Sequence, residues 1–149
     1  MEFQWELAPL MVGFIFSYLI YHYKKFRMGG VIVIPLLAIY TIKYPLMLLL
    51  VGFFSVCIFF MLKILMERFI IYGRRLLYLA LFMGLILMSI AFIWLNSFTW
   101  YSVLLPGLIA YNYHRESYSG VKIGKAVLWN LLFYIICFVV ALISYWYLV

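Results

Sequence analysis

Acidic side chains are almost missing from this chain. There is no aspartate, and the only glutamates are Glu2, Glu6, Glu67 and Glu116. General acid–base chemistry needs positioned carboxylates or imidazoles. With four acids and two histidines, the chain is poorly equipped for it. Cysteine is scarce too. Cys57 and Cys137 both lie inside apolar runs, so they read as small packing residues and not as a disulfide or a metal pair. No HExxH sequence or cysteine cluster offers a metal site. Residues 120–125 hold Gly120, Gly124 and Lys125 but are too short for a phosphate-cradling glycine loop. A basic n-region and a small-residue cleavage site are also missing at the start, where Glu2 and Glu6 stand. The first apolar run is therefore expected to be a retained helix.

What is present is apolar. Of 149 residues, 70% are hydrophobic and 10% charged, and the mean hydropathy is +1.19. A soluble domain is about half apolar and a quarter charged. The composition implies an integral membrane protein, with room for about six helices of roughly 20 residues. The net charge of +7 falls mostly at segment ends, where it sets topology and meets anionic lipid. Nucleic acid is not an expected partner.

Taken in order, the first span covers 7–23 and is closed by Lys24, Lys25 and Arg27. A short segment, 29–42, follows; as a helix it is about 21 Å long, less than the roughly 30 Å hydrocarbon core. Pro45 opens a third stretch to Met66, with Glu67 and Arg68 on a helix that can continue to Tyr72. Gly73, Arg74 and Arg75 break the chain at its midpoint, and Gly73 reads as a hinge. The fourth span is 76–95, and Asn96-Ser97 is a turn. A second short segment, 98–113, is about 24 Å if helical. A polar loop from Asn112 to Lys125 then leads into the last span, 126–149.

The two short segments resemble one another. Each places a proline and a tyrosine at the same separation, Pro35 with Tyr40 and Pro106 with Tyr111. Pro106 is followed by Gly107 in the middle of an apolar run. A helix interrupted this way frees polar backbone groups, which are tolerable only against protein or a water-lined cavity. Paired Pro-interrupted segments point to a pseudo-symmetric membrane protein. The expected fold is all-α and polytopic: one transmembrane domain over 1–149, in two three-span inverted repeats at about 7–66 and 76–149. Pro35, Pro106 and Gly107 are the expected broken-span, pore-lining residues.

Charge decides whether the short segments cross. If they do, the basic clusters near Lys24, Arg74 and Lys122 share the inner side, both termini lie outside, and Lys43 is the one basic exception. Trp5, Trp94, Trp100 and Trp146 then form an outer aromatic belt, with Tyr21, Tyr23, Tyr72, Tyr113 and Tyr118 at the inner interface. Arg74 and Arg75 are the sharpest polar feature. Arginine stays charged and grips carboxylates with two bonds, yet any basic pair would serve as a topology anchor. His114 beside Arg115 could hold an anion at a pore mouth, or could be an interfacial histidine in a wet loop.

Tyr72-Gly73-Arg74-Arg75, followed by a long apolar span and then residues 105–110 (Leu-Pro-Gly-Leu-Ile-Ala), resembles the PgsC/CapC family. Members are small membrane subunits of poly-γ-glutamate synthase and capsule machinery. The resemblance covers the chain from Gly29 onward and departs from the family pattern at Leu36, Trp100 and Tyr101. It implies a noncatalytic subunit in the bacterial inner membrane. A CapB/PgsB-type cytoplasmic amide ligase would bind ATP and Mg, so this chain needs no cofactor. A CapA/PgsA-type protein would work on the outer side. Arg74, Arg75, His114, Arg115 and Lys122 would meet the ligase or the anionic polyglutamate chain. Rival readings are a free-standing transporter or channel for an anionic solute, and a membrane acyl- or phosphotransferase.

Overall fold

The computed structural model describes residues 3–24, 30–95 and 103–148. Lys25, Arg27, the Asn96-Ser97 turn and the first residues of the second short segment lie outside the described residues, as do the side chains of Lys24, Trp94 and Trp100. Among the described residues every regular element is helical: α1 (Phe3–Lys24), α2 (Val33–Lys43), α3 (Leu46–Arg68), α4 (Arg74–Leu95), α5 (Leu105–Tyr118) and α6 (Ile123–Leu148). Three of them, α3, α4 and α6, are long and apolar enough to cross a membrane. α1 has 22 residues, but Glu6, Ser17, His22 and its tyrosines dilute its apolar character. At 1.5 Å per residue α2 and α5 are about 16 and 21 Å long, less than a hydrocarbon core.

The helices fall into two groups. α6 packs on α1 and α2, and α3 packs on α4 and α5. Ile20, Ile34, Ala38, Phe133 and Cys137 fill the first group. Ile58, Leu62, Leu76, Ala80 and Ala110 fill the second. Val33, Leu37, Met47, Val51, Met88 and Leu105 join them. Large apolar side chains cover the outside, including Phe14, Phe53, Phe82 and Leu128, as expected of helices facing lipid.

Four sequence expectations change. First, neither proline interrupts a helix. Pro106 sits at the start of α5 and Pro35 in the first turn of α2. A first-turn proline costs little, because the backbone donor it lacks has no intrahelical acceptor there. Second, residues 112–118 are not a loop. α5 runs on to Tyr118 with Asn112, His114 and Glu116 buried, because neighbouring helices enclose it. Third, α3 ends at Arg68, where Phe69 turns extended, so it does not continue to Tyr72. Fourth, Trp5 does not face lipid. It is 1% exposed and packs edge-on against Tyr145, whose ring centre is 5.3 Å away.

Close helix approaches are made by glycine. A Cβ on Gly107 would collide with the Ala80 carbonyl, and one on Gly84 would come within 3.0 Å of the Gly107 nitrogen. α4 and α5 therefore touch backbone to backbone. In the other group, a Cβ on Gly13 would collide with the Pro35 ring. Pro35, Pro106 and Gly107 are thus fully enclosed by protein.

Candidate functional site

Contacts between helix ends gather at two poles, while the starts of α2 and α5 pack against the middles of α1 and α4. One pole is marked by the contacts of Trp5 with Tyr145 and of Glu6 with Lys43. The other collects the C-terminal ends of α3 and α5 and the N-terminal ends of α4 and α6. There Tyr118 meets the ring of Tyr72, 6.1 Å between centres. The same residue's hydroxyl donates to the Met66 sulfur at 3.9 Å. Arg68, Arg74, Arg75, Arg115, Lys122 and Lys125 all belong to this pole. The candidate site is this basic end.

Gly73 has φ +62°, a left-handed conformation that favours glycine. It directs the chain from the extended residues after α3 into α4, and its carbonyl accepts from the Leu77 backbone N–H at 3.3 Å. Arg74 and Arg75 occupy the first turn of α4 and are exposed. A cation at a helix N-terminus opposes the macrodipole, an unfavourable placement of about 0.3–1 kcal/mol at an exposed position. Helix stability therefore does not explain two arginines there. Lys122 and Lys125, beside the start of α6, are exposed as well.

α5 presents two different walls at this end. His114 faces α3. Its ring stacks on Phe59 at 4.2 Å between centres, and its Nε2–H donates to the Phe59 carbonyl oxygen at 2.8 Å. The imidazole thus ties two helices together at the edge of a cavity of about 320 Å³ that Lys63, Glu67, Ser117 and Tyr118 also line. Arg115, one position on, turns the other way. With Ser17, Tyr18, Tyr21, Gly30 and Asn112 it lines a cavity of about 580 Å³ between α1 and α5.

The structure therefore brings the sequence-predicted cations to one end but not into one pocket. His114 is buried at 5% exposure, bonded within the bundle; Arg115 stands in a separate groove; Arg74, Arg75 and Lys122 face outward. Ser17, Lys63 and Asn112 were not singled out from sequence. Ser17 lies within an apolar run and Asn112 in an apparent loop, and no local signal marks either as a cavity wall.

No curated protein and no solved structure gives a significant match to the chain. A family profile does: that of capsule biosynthesis CapC matches residues 12–121. The matched region contains both proline segments, the Gly73-Arg74-Arg75 turn and all of α5. The chain belongs to the capsule biosynthesis CapC family.

Proposed function

We propose that this chain is the membrane subunit of a poly-γ-glutamate capsule synthase in the bacterial inner membrane. It anchors a cytoplasmic CapB/PgsB-type amide ligase on its basic end and guides the anionic polymer outward, toward a CapA/PgsA-type protein. The observation that carries the reading is the coincidence of a CapC family match with the collection of exposed arginine and lysine at one pole. A γ-linked polyglutamate carries one free carboxylate per residue, and exposed guanidiniums match that chemistry. ATP and Mg would be bound by the ligase, where the acyl phosphate is made. Because Pro35, Pro106 and Gly107 are enclosed by protein, the polymer's path runs along the bundle surface or between copies, not through these contacts.

In this reading the six helices all cross, as two inverted three-helix repeats with both termini outside. The packing supports it. The third helix of each three-helix half, α3 or α6, packs on the first two helices of the other half. Gly13 faces Pro35 and Gly84 faces the start of α5, and Gly13 and Pro35 stand as far along the chain from Gly84 and Pro106 as each other. The test is purification of the tagged chain from producing cells. The ligase should co-purify, and deletion of this chain should release it from the membrane fraction and stop polymer export. A ligase that stays membrane-bound and active without the chain would refute the anchoring role.

A further inference from the structure

The groove between α1 and α5 differs from the rest of the basic end. It is walled by Arg115, the buried Ser17 and Asn112, and the backbone at Gly30, and it encloses about 580 Å³. Arg115 is half-buried, one turn before the end of α5. Among the described residues no carboxylate pairs with it. A guanidinium drawn partly out of water without a counter-ion is costly, and its planar fork of donors suits a phosphate or carboxylate held by two bonds.

The mouth of the groove tells which anion. Phe14 and Tyr18 line it and are 54% and 68% exposed, on the outer face of α1. With Tyr21 they follow one helical stripe, at positions i, i+4 and i+7. The stripe leads from the charged end of the bundle along α1 into the depth at which a spanning helix faces acyl chains. A polar chain of carboxylates gains nothing from a wall that ends in Phe14. A headgroup phosphate with a hydrocarbon tail matches both ends of the groove. Basic pockets between spanning helices at the cytoplasmic side take anionic headgroups. A zwitterionic head carries the same phosphate but also its own cation, so its net charge does not offset Arg115.

We propose that the α1–α5 groove is a binding site for an anionic phospholipid of the inner leaflet, with Arg115 on the phosphate and Phe14 and Tyr18 along the first part of an acyl chain.

The experiment is thermal unfolding of the purified protein in neutral detergent, titrated with phosphatidylglycerol, with phosphatidylcholine, or with soluble polyglutamate. Phosphatidylglycerol should raise Tm saturably and phosphatidylcholine should not. Arg115→Gln should weaken the phosphatidylglycerol response at least about tenfold, the scale of a lost charge-assisted bond. Tyr18→Ala, at an exposed position, should weaken it without removing the headgroup preference. The double variant Arg74→Gln, Arg75→Gln should respond as the unaltered protein does. If Arg115→Gln does not fold, Arg115→Lys takes its place and should also weaken the response, because it loses the two-pronged geometry. An unsaturable shift, or equal shifts with both lipids, would overturn the site. So would an undiminished response in the Arg115 variant. Stabilisation by polyglutamate alone would assign the groove to polymer instead of lipid.

Discussion

Lys43 Nζ stands 2.6 Å from Glu6 Oε1, at the pole opposite Arg74, Arg75, Arg115 and Lys122. Lys43 is the one described lysine or arginine at that pole. The ammonium also lies 5.4 Å from the centre of the Trp5 ring, so it joins α2 to α1 through both a carboxylate and an aromatic face. The side chains keep 36% and 23% exposure, and a pair that accessible stabilises by only about 0.2–1 kcal/mol. Glu6→Gln should therefore lower stability by no more than that. Exchanging the two as Glu6→Lys, Lys43→Glu should restore most of the loss. Chemical denaturation in detergent measures both, and a loss well above this range would assign the pair a larger role.

Topology can be read by labelling. In a background lacking Cys57 and Cys137, cysteine replacing the exposed Tyr44 between α2 and α3 should react with an impermeant maleimide in intact cells. Cysteine replacing the exposed Ser119, between α5 and α6, should react only after permeabilisation. Three helices, α3, α4 and α5, separate the two positions, so this pair tests whether α5, which is shorter than the hydrocarbon core, crosses. Equal labelling of the two positions would place them on one side and exclude six crossings.

Gly107 is a packing position. Its missing Cβ lets α5 lie on the Ala80 carbonyl, so even alanine forces two backbones apart. Overpacking of this kind costs about 1–3 kcal/mol. Gly107→Ala should lower protein abundance and thermal stability together, and Gly107→Leu should do so more. Gly52→Ala is the control, since a Cβ there meets nothing within 4 Å. If Gly107→Ala matches Gly52→Ala in abundance and Tm, the close α4–α5 approach does not limit stability.

How far the chain could be read in advance depends on how many residues carry each signal. α3, α4 and α6 were legible because hydropathy accumulates over more than twenty positions, and Pro45 marked the start of α3 correctly. α5 was not. Asn112, His114 and Glu116 look like loop residues when hydropathy is summed locally, yet here they are helical and enclosed by other helices. The prolines were visible, but their consequence depends on where a helix begins, which a uniformly apolar run conceals. The basic end was legible as charge at segment ends. Its division into two cavities was not, because adjacent residues of α5 face different neighbours and neither Phe59 nor Ser17 is marked by its own sequence context.

His114 illustrates that division. Sequence left it between anion contact and interfacial residue, whereas its Nε2–H bond to Phe59 and its stacking make it a link between α3 and α5. Losing a hydrogen bond and a stacked ring together costs about 1–3 kcal/mol. His114→Ala should therefore destabilise the protein, while His114→Phe, which keeps the stack, should recover part of the loss. Polymer output corrected for protein level should change little in His114→Phe. A large specific loss of output at normal abundance would instead place the imidazole in contact with substrate.

The arginine pair separates topology from recognition. Arg74 and Arg75 are exposed at the first turn of α4, where the helix dipole disfavours cations. A topology anchor needs only positive charge, and lysine supplies it. Recognition of carboxylates, on the polymer or on the ligase surface, needs the planar fork that lysine lacks. A lost charge-assisted bond is worth about 1.5–3 kcal/mol, a ten- to hundredfold effect on an equilibrium. The double variant Arg74→Lys, Arg75→Lys should insert and accumulate normally but make at least about tenfold less polymer. Ligase co-purification on that variant distinguishes the two contacts. Retained ligase with lost polymer points to the polyanion, and lost ligase points to docking. Polymer made at the normal rate would reduce the pair to an orientation signal and remove it from the site.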